Sequence, residues 1–182
     1  MKKIYQLQSD TENFSYFLRT SRDNPRQSMR WLWNKPPFYH PENFMLVAGD
    51  NKKKSYKTDI STATNPFIIF SENTWDSLKD ILEPRGVLLD IITESKRKKF
   101  FGYYPTNAIK EGALDIDLSD YSDYQNGKVV RVATLKESKI DKDYIFTIEE
   151  SKIKIFVDDK FKKRVEEAGL NGFDFSYNVQ LS

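Results

Sequence analysis

His40, in Pro37-Phe38-Tyr39-His40-Pro41-Glu42, is the one imidazole of the chain. Any Ser-His-Asp arrangement or histidine proton transfer would have to run through it. Flanking prolines place it in an extended loop, and no nucleophile elbow occurs elsewhere, so the reading is against catalysis at this residue. A second group with chemical potential is Asp115, Asp117, Asp120 and Asp123 in Asp115-Ile116-Asp117-Leu118-Ser119-Asp120-Tyr121-Ser122-Asp123. Several carboxylates close together suit a hard cation, but a helix–loop–helix calcium loop needs glycine sixth, where Asp120 stands if Asp115 is first. An acidic strand face followed by a polar loop accounts for the same residues, so no metal is expected. The sequence has no Cys, which removes thiol nucleophiles, disulfides and thiolate metal sites. Its seven glycines are scattered singly, without a phosphate-cradling pattern, and no carboxylate pair is marked out for glycoside hydrolysis. The expectation is a chain that is not an enzyme and takes no cofactor.

Recognition chemistry is better represented. Trp31-Leu32-Trp33 and Phe38-Tyr39 place four large rings in a short proline-containing segment. Rings in an irregular segment are candidate interface anchors, because they bury much area for little lost entropy. The alternative is that they fold back over a sheet. Arg26 and Arg30 are thin support for base stacking. Trp31, Trp33, Phe38 and Tyr39, with Asp115, Asp117, Asp120 and Asp123, are therefore the candidate binding residues. The carboxylates would suit a partner with a basic cleft.

Charge balance narrows the partner class. Lys and Arg number 29 against 27 Asp and Glu, a net charge of +2. Basic runs at Lys52-Lys53-Lys54, Lys96-Arg97-Lys98-Lys99 and Lys160-Phe161-Lys162-Lys163-Arg164 alternate with acidic ones. A nucleic-acid domain would show a one-sided excess, so the runs read as solvated loops and turns, nucleic acid is not the expected partner, and a nucleic-acid-binding or regulatory module using the lysine clusters is the second reading. Two lysines at the start are not followed by an apolar run of signal-peptide length, and no stretch is long enough to span a bilayer. The expectation is a cytoplasmic, membrane-free protein, monomeric or weakly dimeric.

The elements that must position these residues follow from local pattern. At 182 residues, with 38% hydrophobic and 14% aromatic content, the chain can bury a core as one domain. Ile4–Leu7 and Phe44–Ala48 read as strands, with residues 9–43 irregular between them. Phe67–Phe70 is a continuous apolar strand. Ser71 then caps a helix with Trp75, Leu78, Ile81 and Leu82 on one stripe, ended by Pro84 and Gly86. Val87–Thr93 resumes as a strand, with Phe100–Tyr104 pairing across the bend at 96–99. Ala113–Leu118 alternates apolar and acidic residues, the pattern of a half-buried strand. Lys128–Leu135, Tyr144–Ile148 and Ile153–Val157 are β-rich. A second helix starts at Asp158, docks through Phe161, Val165 and Ala168, turns Lys160, Lys162, Lys163 and Arg164 to solvent, and stops at Gly169. Phe173–Phe175 is the last strand. The fold class is α+β: a mostly antiparallel or mixed sheet with two short strand–helix–strand units and a loop-rich N-terminal part over 1–66.

The run from Ile155 to Phe175, with its strand, Asp158 cap, short helix, Gly169-Leu170-Asn171-Gly172 turn and Phe173-Asp174-Phe175 end, resembles the closing signature of a bacterial family. Phe70-Ser71-Glu72 before the Trp75 helix is similar to its middle segment, and Leu114–Ser119 to its acidic strand ending in Ser. The family is that of immunity proteins of polymorphic toxin systems, immunity protein family eleven, and the resemblance spans about residues 67–177. It implies a cytosolic protein that binds and neutralises a cognate toxin by occlusion, and it carries over no catalytic residue.

Overall fold

The computed structural model describes residues 2–20, 41–125 and 127–182. Trp31, Trp33, Phe38, Tyr39 and His40 lie outside the described residues. In chain order, β1 (Ile4–Gln6), β2 (Gln8–Ser9), β3 (Tyr16–Arg19), β4 (Asn43–Val47), β5 (Ile60–Thr64) and β6 (Phe67–Ser71) lead to α1 (Glu72–Leu82). Next come β7 (Gly86–Asp90), β8 (Ile92–Thr93), β9 (Phe100–Pro105), β10 (Ala108–Ile109), β11 (Asp120–Tyr124), β12 (Gly127–Val132) and β13 (Thr134–Leu135). Finally β14 (Ile145–Ile148) and β15 (Ser151–Asp158) precede α2 (Asp159–Glu167), β16 (Phe173–Asp174) and β17 (Asn178–Leu181).

These elements stack in layers of an α+β fold. A mixed sheet in the order β10-β14-β15-β1-β17-β13 forms one wall, and β5-β6-β9-β7 forms another. Between them lies a core of Ile155, Val157, Ile68, Phe70 and Tyr103 with the helix residues Leu78, Ile81, Leu82, Phe161 and Val165. Alternate residues of the same strands face the other way. Phe146, Ile148 and Phe156 form a second core on the outside of the first wall. Phe67, Ile69 and Phe100 form a third with Phe17, Phe44 and Leu46 of the small sheet β3-β4-β8. Burial on both faces explains why Phe67–Phe70 is apolar without alternation.

Both helix caps stand where the sequence places them. Ser71 Oγ accepts the Thr74 amide at 3.2 Å, and Asp158 Oδ1 accepts the Phe161 amide at 2.9 Å. α2 ends with Gly169 at φ +63°, its amide donating to Glu166 O and the Leu170 amide to Val165 O, the paired bonds of a glycine-terminated helix.

Five expectations are corrected. Ala113–Leu118 is not a strand: Leu114 makes one bridge to Leu135, after which Asp115 Oδ1 accepts the Asp117 and Leu118 amides at 3.1 and 3.3 Å and folds the chain into a turn. Val87–Thr93 divides into β7 and β8, which serve different sheets. The irregular region 9–43 contains β3, and the sequence pattern also leaves out β2, β5, β10, β11 and β17. Ala168 is exposed, so α2 docks through Phe161 and Val165 alone. Lys162 and Arg164 are only partly solvent-facing. Lys162 Nζ sits 5.1 Å from the Tyr5 ring, while Arg164 donates to both carboxylate oxygens of Asp80 at 2.8–2.9 Å and to Ser77 O at 3.0 Å, tying α2 to α1.

Candidate functional site

The acidic stretch belongs to an arm, residues 114–135, that leaves the edge of the six-stranded sheet. Its base is fixed by the Leu114–Leu135 bridge, by the Thr134 amide donating to Ser119 Oγ at 2.9 Å, and by Thr134 Oγ1 donating to Leu118 O at 3.1 Å. Beyond the base, β11 and β12 pair only with each other among the described residues, with Tyr121 opposite Val130, Ser122 opposite Val129 and Asp123 opposite Lys128. A bulge interrupts the register between Asp120 and Tyr121, which ends strict alternation there. Val130 and Ala133 join the second core, with Tyr121 packed against it, so one side of the arm is held down by apolar contact.

The four aspartates do not form a bare negative patch. Arg131 clasps Asp120 with two donors, Nε at 2.8 Å and Nη2 closer still, and its Nη1 donates to Ser122 Oγ at 2.7 Å. Those hydrogen bonds hold the Asp120 carboxyl below the ordinary aspartate range and push the Arg131 guanidinium up. Lys128 Nζ donates to Asp123 at 2.6 Å over the Tyr121 ring, and the Asp123 bond pushes its ammonium up. Asp115 is lowered chiefly by a hydrogen bond from the Ser182 side chain, with the Leu118 and Asp117 amides adding to it. Asp117 alone makes no side-chain ion pair or hydrogen bond among the described residues.

The arm also carries exposed apolar side chains beside its charges. Ile116, Leu118, Tyr124, Val129 and Val132 are each 49–63% exposed. Read as a strand, Ile116 and Leu118 belonged on the buried face. The Asp115 turn puts them in solvent instead, and this reversal is why the sequence singled out the acids and missed the apolar residues. A cluster of large apolar side chains on one projecting element is the usual mark of an interaction surface.

A second polar constellation is Asp59, Ser71 and Lys98. Ser71 Oγ donates to Asp59 Oδ1 at 2.6 Å and Lys98 Nζ donates to the same oxygen at 2.7 Å. A hydroxyl, a carboxylate and an ammonium in contact resemble nucleophile machinery, but Ser71 is fully buried and serves as the α1 cap. The cluster is a clasp. Among the described residues no group of His, Cys, Asp and Glu could hold a metal ion, and no helix is long and apolar enough to cross a membrane.

Residues 93–179 match the family model described as Immunity protein family (Imm11). The matched segment takes in the lysine bend, the whole arm, the β14–β15 pair, α2 and its glycine turn, and overlaps the stretch whose signature residues resemble that family. The match points to an immunity function. No curated protein matches the chain.

Proposed function

From that match we propose that the chain is a cytoplasmic immunity protein of a polymorphic toxin system, which binds a cognate bacterial toxin and neutralises it by covering its working surface, without chemistry of its own. One observation carries the assignment of a surface: the family-matched segment builds the arm, and the arm leaves Ile116, Leu118, Tyr124, Val129 and Val132 exposed beside Asp115, Asp117, Asp120 and Asp123. Apolar anchors set among ordered charges are what a tight, specific contact uses, the anchors supplying residence time and the charges fixing register. Arg131 and Lys128 hold two of the carboxylates in place before binding, so little side-chain freedom is lost when a basic cleft meets them. Trp31, Trp33, Phe38 and Tyr39 remain part of the proposal on the sequence argument alone.

The test is co-expression with the toxin encoded beside the gene. The parent protein should restore growth. A variant carrying Leu118→Asp, Tyr124→Ala and Val129→Asp should fail to protect while melting close to the parent, because those side chains point to solvent. Toxicity undiminished by the parent protein would overturn the function, and full protection by the triple variant would move the surface off the arm.

A further inference from the structure

Two basic runs far apart in sequence, 52–57 and 96–99, are brought together by the fold. Lys54 Nζ reaches Glu94 Oε2 at 3.4 Å, and Lys98 Nζ donates to Thr58 O at 2.9 Å and to the buried Asp59 at 2.7 Å. The two loops are thus joined at Lys54–Glu94 and again where Lys98 reaches Thr58 and Asp59. Residues 50–59 and 94–99 together carry eight cations and three carboxylates, a local excess of five in a chain whose net charge is only +2. The remainder of the chain is therefore net negative in sum. Lys52, Lys53, Lys57, Lys96 and Arg97 are exposed and make no side-chain ion pair among the described residues.

The loops that present these charges are held rather than loose. Lys52 adopts φ +59°, closed by its amide donating to Gly49 O at 2.9 Å, with the Lys53 amide on Asn51 Oδ1 at 2.9 Å. A non-glycine residue in the left-handed region persists only where its surroundings fix it. On the other loop, the Lys98 amide donates to Ser95 Oγ at 3.2 Å.

We propose that this two-loop patch is a second contact for the toxin, one that meets an acidic face of it. The inference rests on the immunity reading and names a partner chemistry for a surface separate from the arm. An acidic protein face fits the patch better than nucleic acid does. Four of the five unpaired cations are lysines, point charges without arginine's planar fork, and the one ring in these loops, Tyr56, packs on Phe17 and Phe100 instead of standing free to stack on a base. Dense, solvated lysines act mainly through long-range attraction, so the patch governs arrival, whereas the arm's apolar anchors govern departure.

The experiment is a kinetic binding measurement on the intact protein and the purified toxin over a range of salt. Lys53→Glu, Lys57→Glu and Arg97→Glu combined should slow association by roughly tenfold or more at low ionic strength, flatten its salt dependence and leave dissociation nearly unchanged. Lys79→Glu, Lys160→Glu and Lys163→Glu combined change net charge equally at other exposed sites and should have a much smaller effect. Equal slowing by the two triples overturns the patch while leaving the immunity function in place, since the parent still binds. No binding by the parent overturns both. Saturable, salt-sensitive binding of a duplex or single-stranded oligonucleotide, abolished by the first triple, would give the patch to nucleic acid and overturn the proposal.

Discussion

Asp59 Oδ2 accepts the backbone amide of Asn171 at 2.9 Å, joining positions 112 residues apart. Its other oxygen holds Ser71, the cap of α1, while Asn171 sits in the glycine turn that follows α2. One buried carboxylate therefore ties together the two strand–helix–strand units, and Lys98 neutralises it from the lysine bend. Removing Asp59 strands a partly buried ammonium and leaves Ser71 and the Asn171 amide without this acceptor.

Asp59→Ala should accordingly cost about 3–5 kcal/mol of unfolding free energy in urea denaturation. The double variant Asp59→Ala, Lys98→Met should lose less than the sum of the single changes, because no stranded ammonium remains. Strict additivity would show that the two side chains act independently.

Phe161 is fully buried between α2 and the sheets, 6.2 Å from the Phe173 ring, whereas Ala168, which caps the C-terminal end of the same helix, is exposed. Phe161→Ala should cost about 3–5 kcal/mol and Ala168→Ser almost nothing, read as denaturation midpoints at constant slope. Comparable losses at both positions would place the docking face elsewhere.

The two glycines of the closing turn should respond unequally to alanine. Gly169 has φ +63° with open space where a Cβ would sit, so Gly169→Ala should cost about 1 kcal/mol for the left-handed backbone alone. Gly172 has φ +85°, and its Cβ would lie 2.5 Å from Thr58 Oγ1, a hydroxyl already committed to Ile60 O at 2.7 Å. Gly172→Ala should therefore cost at least about 2 kcal/mol, and thermal melts of the pair establish the order.

What the sequence showed depended on how local the cause was. Ser71 and Asp158 were legible as caps because a cap is decided within three residues, and Gly169 because only a left-handed stop needs it there. The alternation of Ala113–Leu118 satisfied a strand pattern, yet the Asp115 carboxylate bonds its own backbone two and three residues on and makes a turn instead. β5 was missed because Ile60-Ser61-Thr62-Ala63-Thr64 is mostly small and polar. Its place depends on non-local bonds, such as the Phe17 amide donating to Ser61 Oγ at 2.9 Å. Asp59 carries no local signal at all, and its weight comes from three distant partners. The arm's acids could be named from sequence, but their pairing with Arg131 and Lys128 and the exposure of Val129 are set by a hairpin register and a bulge that no single window contains.

The arm's attachment of Asp120 to Arg131 should respond to acid. Asp120 is held below its ordinary value near 3.9, so its contribution is complete above that pH and is lost as pH falls through the lower, folded value. Carboxyl carbon shifts followed by NMR should show Asp120 titrating below the ordinary range, and Arg131→Ala should return it there. An unchanged midpoint in Arg131→Ala would mean that the clasp is not what lowers it.

Stoichiometry tests the central claim most directly. A fixed amount of active toxin is titrated with the purified protein, and residual toxin activity is followed to completion. Neutralisation by occlusion predicts a linear fall that reaches zero at one equivalent, with an equimolar complex recovered by size-exclusion chromatography and full activity regained when the complex is dissociated. Loss of activity at a small fraction of an equivalent, or toxin that stays inactive after separation, would contradict the account by showing that the protein alters its partner chemically.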